Sequence, residues 1–335
     1  MSELYPIPNY ELEDIQTLER KPEQPLFAQD FIDQFSMMQG GLEDFFDVTI
    51  KECQGNWRKI FALMQKNTDD EKAMISDELE RPLLPVESET FVAVWGMGEA
   101  IRQIEERREL NKLRKDADSN EIKQIDYRIN NLNRISAEWQ NLVARMMFDL
   151  EKIPEGINFL KFFWGKFEQL CQARYPNDPE QVSSIKNGIF GLKAAIETME
   201  KFGWEAYLSF PEQDAWQKID LWAVKGKKIL AIQVKSKKDN FILRGIPVTA
   251  FESIHGLSEE EAKDAKTRNT LLTSAREYDK VFQQSGPDAR VKALWLEIPV
   301  AGAVFDQDPT TGKVAFPGNF HEHKLAEILH EMEVR

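Results

Sequence analysis

The segment KIDLWAVKGKKILAIQVKS, residues 218–236, constrains the fold of this chain more than any other. Two short apolar runs flank a Lys-Gly-Lys-Lys turn, which is the pattern of an antiparallel β-hairpin. A two-residue turn at 226–227 would place Asp220 directly opposite Gln233. Because side chains in a strand alternate between its two faces, Gln233 and Lys235 must share one face. A turn centred one residue earlier would keep all three side chains on that face.

An acid, an amide and an ammonium group on one face have the chemistry of a divalent-cation site. The carboxylate of Asp220, the amide oxygen of Gln233 and the backbone carbonyl of Val234 are hard oxygen ligands of the kind that Mg²⁺ (or Mn²⁺) accepts while keeping several waters. The Lys235 ammonium group could hold the attacking water or stabilise charge on a phosphate in transfer. These residues favour phosphodiester hydrolysis; the alternative is an acid at a strand start, a solvent-facing amide and an edge lysine.

At these positions the chain resembles the PD-(D/E)XK, or restriction-endonuclease-like, nuclease superfamily, in its variants with Gln in place of the second acid, as in Mrr-type restriction enzymes. The resemblance implies that Asp220 and Gln233 bind the metal and that Lys235 assists catalysis. It also implies a further acid on the preceding helix, for which Glu197 is chosen and Glu200 is the other candidate. The implied activity is that of a Mg²⁺-dependent endonuclease acting on nucleic acid, with DNA expected and RNA as the alternative.

The surrounding sequence predicts an α+β fold over residues 160–335, with a mixed sheet flanked by helices in the order α-β-β-β-α-β. Residues 184–202 have helical spacing of apolar side chains and precede Gly203, a suitable helix end. Three short β-like runs follow and predict an antiparallel meander. A capping box at Ser258 starts a second helix that reaches about Gln284, before a further buried strand and a closing helix.

The first half of the chain predicts a different kind of structure. Residues 1–30 are acidic and contain several prolines, which is typical of an extended arm. Residues 31–155 predict an α-helical domain with an antiparallel, coiled-coil-like hairpin that turns at 116–120. Its returning arm carries an apolar stripe that Ser136 interrupts: Ile122, Ile125, Ile129, Leu132, Trp139, Val143 and Met146. The stripe favours packing within one chain; the alternative is a homodimer or a protein partner docked through the same stripe.

The charge of the chain is unevenly distributed. The formal net charge is -14, which is unfavourable for general binding to a polyanion. Residues 225–244 nevertheless carry a net charge of +6, and a local basic patch can attract a phosphate backbone. A solubilising turn is the alternative explanation. The residues predicted to contact nucleic acid, beside Lys235, are Lys225, Lys227, Lys228, Lys237, Lys238 and Arg244.

The cysteine content and the distribution of apolar residues limit the classes of protein to which this chain can belong. Two distant cysteines, Cys53 and Cys171, indicate neither a disulfide scaffold nor a zinc ribbon. The two isolated cysteines fit a reducing cytoplasm, and the absence of an apolar run of about 18 residues predicts no membrane segment. Restriction, repair and mobile-element defence are equally compatible with the predicted nuclease. The competing prediction is a catalytically inactive nuclease-like fold that acts as a binding or scaffold module through its helical hairpin and acidic arm.

Overall fold

The computed structural model describes residues 29–34, 70, 72–174, 179–237, 243–285, 290–299, 306–316 and 320–334. The described residues belong to two compact units. Those within 22–189 and 308–312 form a helical unit, and those within 190–307 and 313–335 form an α/β unit. Most of the predicted arm over 1–30 and the first part of the α-helical domain predicted over 31–155 lie outside the described residues.

The helical unit contains long helices joined by short connections. A short helix at Gln29–Asp33 precedes them. The first long helix begins at Pro85, and proline is well suited to the first turn of a helix. The helices are α1 (Pro85–Trp95), α2 (Met97–Leu113), α3 (Ser119–Leu150), α4 (Pro154–Arg174) and α5 (Pro179–Lys201), the last shared with the α/β unit.

The predicted helical hairpin is confirmed as the pair α2 and α3. Its turn lies at 114–118, close to the predicted position. Asp118 caps α3 by accepting backbone hydrogen bonds from the first turn, and the Glu121 carboxylate accepts one from the Asp118 backbone N–H at 3.0 Å. This reciprocal capping box fixes the start of α3. An ion pair of 2.8 Å between Arg114 and Asp126 joins the two arms near the turn.

The predicted stripe on α3 is buried mainly in its C-terminal half. Ser136 is accommodated because it accepts a hydrogen bond of 2.9 Å from the Gln140 side chain. The Trp139 indole N–H donates to the Ala93 carbonyl on α1 at 3.0 Å. The stripe therefore packs within its own unit, and association of two chains through the hairpin stays a prediction. The buried members are Leu132, Trp139, Val143 and Met146, whereas Ile122, Ile125 and Ile129 are half-buried.

The α/β unit is built on a five-stranded mixed sheet with the order β1-β2-β3-β5-β4 among the described residues. The first three strands form the predicted antiparallel meander, β5 runs parallel to β3, and β4 runs antiparallel to β5. This arrangement confirms the α+β class and the predicted order of elements, with β4 added. The elements are β1 (Glu205–Leu208), β2 (Leu221–Lys225), β3 (Lys228–Lys237), β4 (Arg244–Val248), α6 (Glu259–Ser285), β5 (Arg290–Pro299), β6 (Asp306–Gln307), β7 (Val314–Ala315) and α7 (Phe320–Val334).

Helices cover both faces of this sheet. One face packs against α6 through an aromatic core, in which the Trp222 and Tyr278 rings meet edge to face at 5.0 Å. On the opposite face, Gly245 of β4 lets α7 approach closely, since a Cβ atom there would lie 2.6 Å from the Leu325 side chain. The side chain of Ser236 also points to this second face and lies against Gly191 of α5. The face covered by α6 is the one that carries the candidate site.

No helix among the described residues is long and apolar enough to cross a membrane.

Candidate active site

The β2–β3 hairpin has the predicted register. Its two-residue turn contains Gly226, whose φ of 59° lies in the left-handed region that glycine tolerates. Leu221 pairs with Ile232, and the backbone N–H of Asp220 donates to the Ile232 carbonyl at 2.8 Å. Asp220 thus lies immediately before β2 and opposite Gln233. The predicted common face for the acid, the amide and the ammonium group is confirmed by this register.

The carboxylate of Asp220 is bound to β3 through one oxygen. Its Oδ2 accepts a hydrogen bond of 2.7 Å from the Val234 backbone N–H and another from the Gln233 side-chain amide. The same amide nitrogen also donates to the Val234 carbonyl at 3.3 Å. Two of the oxygens predicted as metal ligands therefore converge on a single hydrogen-bond donor. Gln233 itself is only 7% exposed, so this contact is shielded from bulk water.

Burial raises the pKa of Asp220 well above its usual range, and the negative charge of Asp214 raises it further. The hydrogen bond from Val234 and the positive charges of Lys235 and Lys218 lower the pKa, but they do not offset burial. Ionised Asp220 is consequently costly in the folded protein, and a nearby cation would reduce that cost.

Asp214 is a functional candidate that sequence reasoning missed. It lies in a π-helical turn, Gln213–Gln217, between β1 and β2. Turns of this kind are rare and occur often at functional sites. The turn brings a second carboxylate close enough to Asp220 to affect its pKa. The sequence offered one signal for this site, namely that Asp214 precedes Asp220 by six residues with Lys218 between them.

The π-helical turn is held in place by the buried side chain of Gln213. Its oxygen accepts hydrogen bonds from the Phe210 backbone N–H and the Trp222 indole N–H, both at 3.0 Å. Its nitrogen donates to the Tyr278 hydroxyl at 2.9 Å, and that hydroxyl donates to Gln217 at 2.8 Å. The turn is thereby connected to both β2 and α6.

Lys218 was also missed, although it lies two residues before Asp220. It ends the π-helical turn with a φ of 59°, a left-handed conformation that is uncommon for a residue with a side chain. Its ammonium group donates to the Ala215 carbonyl. Burial lowers the pKa of Lys218, while the charges of Asp214 and Asp220 raise it. Residues held in such sparsely populated backbone conformations cluster at functional sites.

Lys235 projects from β3 on the same face as Gln233. Its ammonium nitrogen lies 4.0 Å from a carboxylate oxygen of Asp264 on α6 and 5.4 Å from the centroid of the Trp295 ring. Asp264 also pairs with Lys237 at 3.3 Å. The α6 helix therefore holds the predicted catalytic lysine beside the sheet, and the lysine side chain is 30% exposed.

Glu197 is placed apart from these residues. One of its oxygens binds the buried Lys193 on α5, and the other accepts a hydrogen bond of 2.9 Å from the Val314 backbone N–H on β7. The contacts described for Glu197 do not include Asp220, Gln233 or Lys235. Glu197 was chosen because the resemblance implies an acid on the preceding helix, and that position alone could not show which neighbour the side chain meets.

The residues predicted to bind nucleic acid fall into two groups. Lys227 and Lys228 lie at the hairpin turn, roughly 23 Å or more along β3 from Lys235 at about 3.3 Å per residue. Lys225, at the same end, pairs with Glu333 on α7 at 2.6 Å. The second group, near Lys235, consists of Lys237 and Arg244. Arg244 lies on β4, where it pairs with Glu297 of β5. Lys238 lies outside the described residues.

The oxygens available near Asp220 fit Mg²⁺ better than zinc. Among the described residues, no group of three or more His, Cys, Asp or Glu side chains could hold a metal ion. Mg²⁺ requires fewer protein ligands, because it keeps several waters and uses one or two carboxylates together with substrate phosphate. Asp220, Asp214 and the Val234 carbonyl are the oxygens that could form such a set. Gln233 would contribute its oxygen after its terminal amide turns over.

No protein-family model, curated protein or solved structure matched this chain.

Proposed function

We propose that the protein is a Mg²⁺-dependent nuclease related to the PD-(D/E)XK superfamily, with DNA as its substrate. The observation that carries this proposal is the convergence of Asp220 Oδ2 and the Val234 carbonyl oxygen on one donor, the Gln233 amide nitrogen. A cation that displaces this nitrogen would satisfy the same two oxygens. It would also neutralise a buried carboxylate whose ionisation is otherwise unfavourable.

Each residue has a role that follows from its position. Asp220 and the Val234 carbonyl would hold the ion, with Asp214 as the second acid and Gln233 as an amide ligand. The bound ion would supply Lewis-acid activation of a phosphate and of its attacking water. Lys235, held beside the sheet by Asp264, would orient that water or stabilise charge on the phosphate. Lys218 would add a second positive charge on the Asp214 side.

The topology supports the same proposal at the level of the fold. The acid precedes the second strand of an antiparallel meander, the amide and the lysine lie on the third, and α6 leads to a strand parallel to the third. This order agrees with the one that the resemblance implies. Because one fold can support many functions, the proposal depends on the site and not on the topology.

The direct test is cleavage of plasmid DNA, single-stranded DNA and RNA in Mg²⁺ or Mn²⁺ by wild-type protein and by Lys235→Ala. We expect cleavage by the wild type and a loss of about 100-fold or more in the variant, because one stabiliser of transition-state charge is removed. The control is Lys280→Ala, at an exposed position on α6 away from the site. If the wild type cleaves none of the three substrates in the presence of metal, the proposed nuclease activity is rejected.

One observation favours a second candidate function, a catalytically inactive binding module. The Asp220 oxygen already receives hydrogen bonds from Val234 and Gln233, so the three residues can satisfy one another without a cation. In that case Lys235→Ala and the wild type would bind nucleic acid or a protein partner equally well, and neither would cleave.

A further inference from the structure

A pocket of about 320 Å³ lies at the edge of the sheet, away from the candidate active site. It is formed where β4 ends beside the beginning of β5, between α6 and the last turn of α7. Its volume is at the lower end of the range typical of small-molecule sites, about 300–1,000 Å³. The apolar part of its lining consists of Pro247, Val248, Leu272, Ala275, Val291, Ala293 and Met332.

The strand arrangement explains why a pocket forms here. β4 ends at Val248, which pairs with Ala293 of β5. Residues 290–292 at the start of β5 therefore have no partner on β4. The backbone N–H of Val291 instead donates to the Asp279 carboxylate on α6 at 2.8 Å. Because a side chain already binds this N–H group, an added peptide strand cannot pair there. The opening is therefore suited to a compact ligand and not to a β-strand.

The charged groups of the pocket favour an anion. Arg276 donates to the Thr249 carbonyl at 3.1 Å, and its guanidinium carbon lies 5.0 Å from the centroid of the Phe251 ring. No carboxylate among the described residues lies within ion-pair distance of Arg276. Lys292 and Glu331 also line the pocket, where the Lys292 ammonium group donates to the Met332 carbonyl, so Arg276 is the cation on which we place the anion. A guanidinium group has five N–H donors, and the Thr249 contact leaves several of them available.

We propose that this pocket binds a small amphipathic anion, with an apolar body against the β5 and α6 side chains and one carboxylate on Arg276. Phe251, which is 57% exposed beside Arg276, extends the apolar surface at the opening. This site is independent of the proposed nuclease, and its ligand would bind whether or not the protein cleaves nucleic acid.

Octanoate, octanol and acetate are suitable probes, because they separate the apolar chain from the charge. Calorimetric titration of the full chain should show octanoate binding at least about tenfold tighter than octanol, with acetate undetectable, since a hydrogen bond between two charged groups is stronger than a neutral one. Arg276→Gln should reduce octanoate to the affinity of octanol and leave octanol unchanged. Lys280→Gln, one turn further along α6, removes a matched charge outside the pocket and should bind as the wild type does.

A second variant tests the location of the site. Thr249 is exposed at the opening, so Thr249→Trp should block octanoate and octanol without disturbing the core. The proposal is overturned if octanoate does not bind the wild type, if octanol binds as tightly as octanoate, or if Arg276→Gln or Thr249→Trp binds octanoate as tightly as the wild type.

Discussion

At the scale of single residues, Asp220 meets two opposing requirements. Its position before β2 makes it accept a hydrogen bond from the Val234 backbone, which favours the ionised form. Its burial and the nearby Asp214 favour the protonated form more strongly, so its pKa is raised. A residue whose folded-state pKa is raised above its unfolded value binds its proton more tightly when folded. Ionisation of Asp220 therefore lowers the stability of the folded protein unless a bound cation compensates for the charge.

This predicts a pH-dependent gain in stability for Asp220→Asn without metal. The amide keeps the shape and an acceptor oxygen but has no charge. Wild-type stability should decline as the pH rises from the usual aspartate pKa towards the raised one, and the variant should lack this decline. Asp220→Asn should thus match the wild type near pH 4 and melt at a higher temperature near pH 7, in thermal unfolding with EDTA. A variant that is less stable than the wild type at pH 7 would contradict this.

Lys218 provides a second prediction at this scale. Lys218→Gly removes the left-handed strain, a gain of about 1 kcal/mol, and also removes the ammonium group of a half-buried lysine. We expect a variant at least as stable as the wild type in urea unfolding but strongly impaired in cleavage. Lys218→Ala should be less stable than Lys218→Gly, because alanine keeps the strain. Full cleavage by Lys218→Gly would show that the lysine has no part in the reaction.

At the scale of elements, the π-helical turn determines whether Asp214 reaches the site. The turn depends on Gln213, which joins the turn to Trp222 on β2 and to Tyr278 on α6. These partners are distant in sequence, so local propensity does not indicate the turn. The same explanation applies to β4, whose five residues include Gly245 and Pro247 and which pairs with β5 about 50 residues later.

Gln213→Ala should therefore destabilise the protein by about 2–4 kcal/mol, because buried donors on Phe210 and Trp222 lose their acceptor. It should also weaken Mg²⁺ binding, since Asp214 would no longer be held in place. Gln217→Ala is the matched control: it removes one hydrogen bond with Tyr278 and should cost about 1 kcal/mol. Equal losses in urea unfolding for both variants would mean that Gln213 does not hold the turn.

At the scale of the whole molecule, local patterns predicted what local interactions determine. The turn at Gly226 set the register that places Asp220 opposite Gln233. The capping box of Ser258 and Glu261 correctly located the start of α6. Residues whose positions depend on tertiary contacts escaped prediction, namely Asp214 and Lys218. Glu197 shows the same limit, because its place on the helix before β1 did not reveal its contacts with Lys193 and Val314.

The most direct test of this account is calorimetric titration of the full chain with Mg²⁺ and Mn²⁺, without nucleic acid. The account predicts one site per wild-type chain, binding at least about tenfold weaker in Asp220→Asn, and tighter binding in Gln233→Glu, where a second carboxylate replaces the amide. The absence of binding by the wild type, or equal binding by the wild type and Asp220→Asn, would contradict a cation site at Asp220 and Val234.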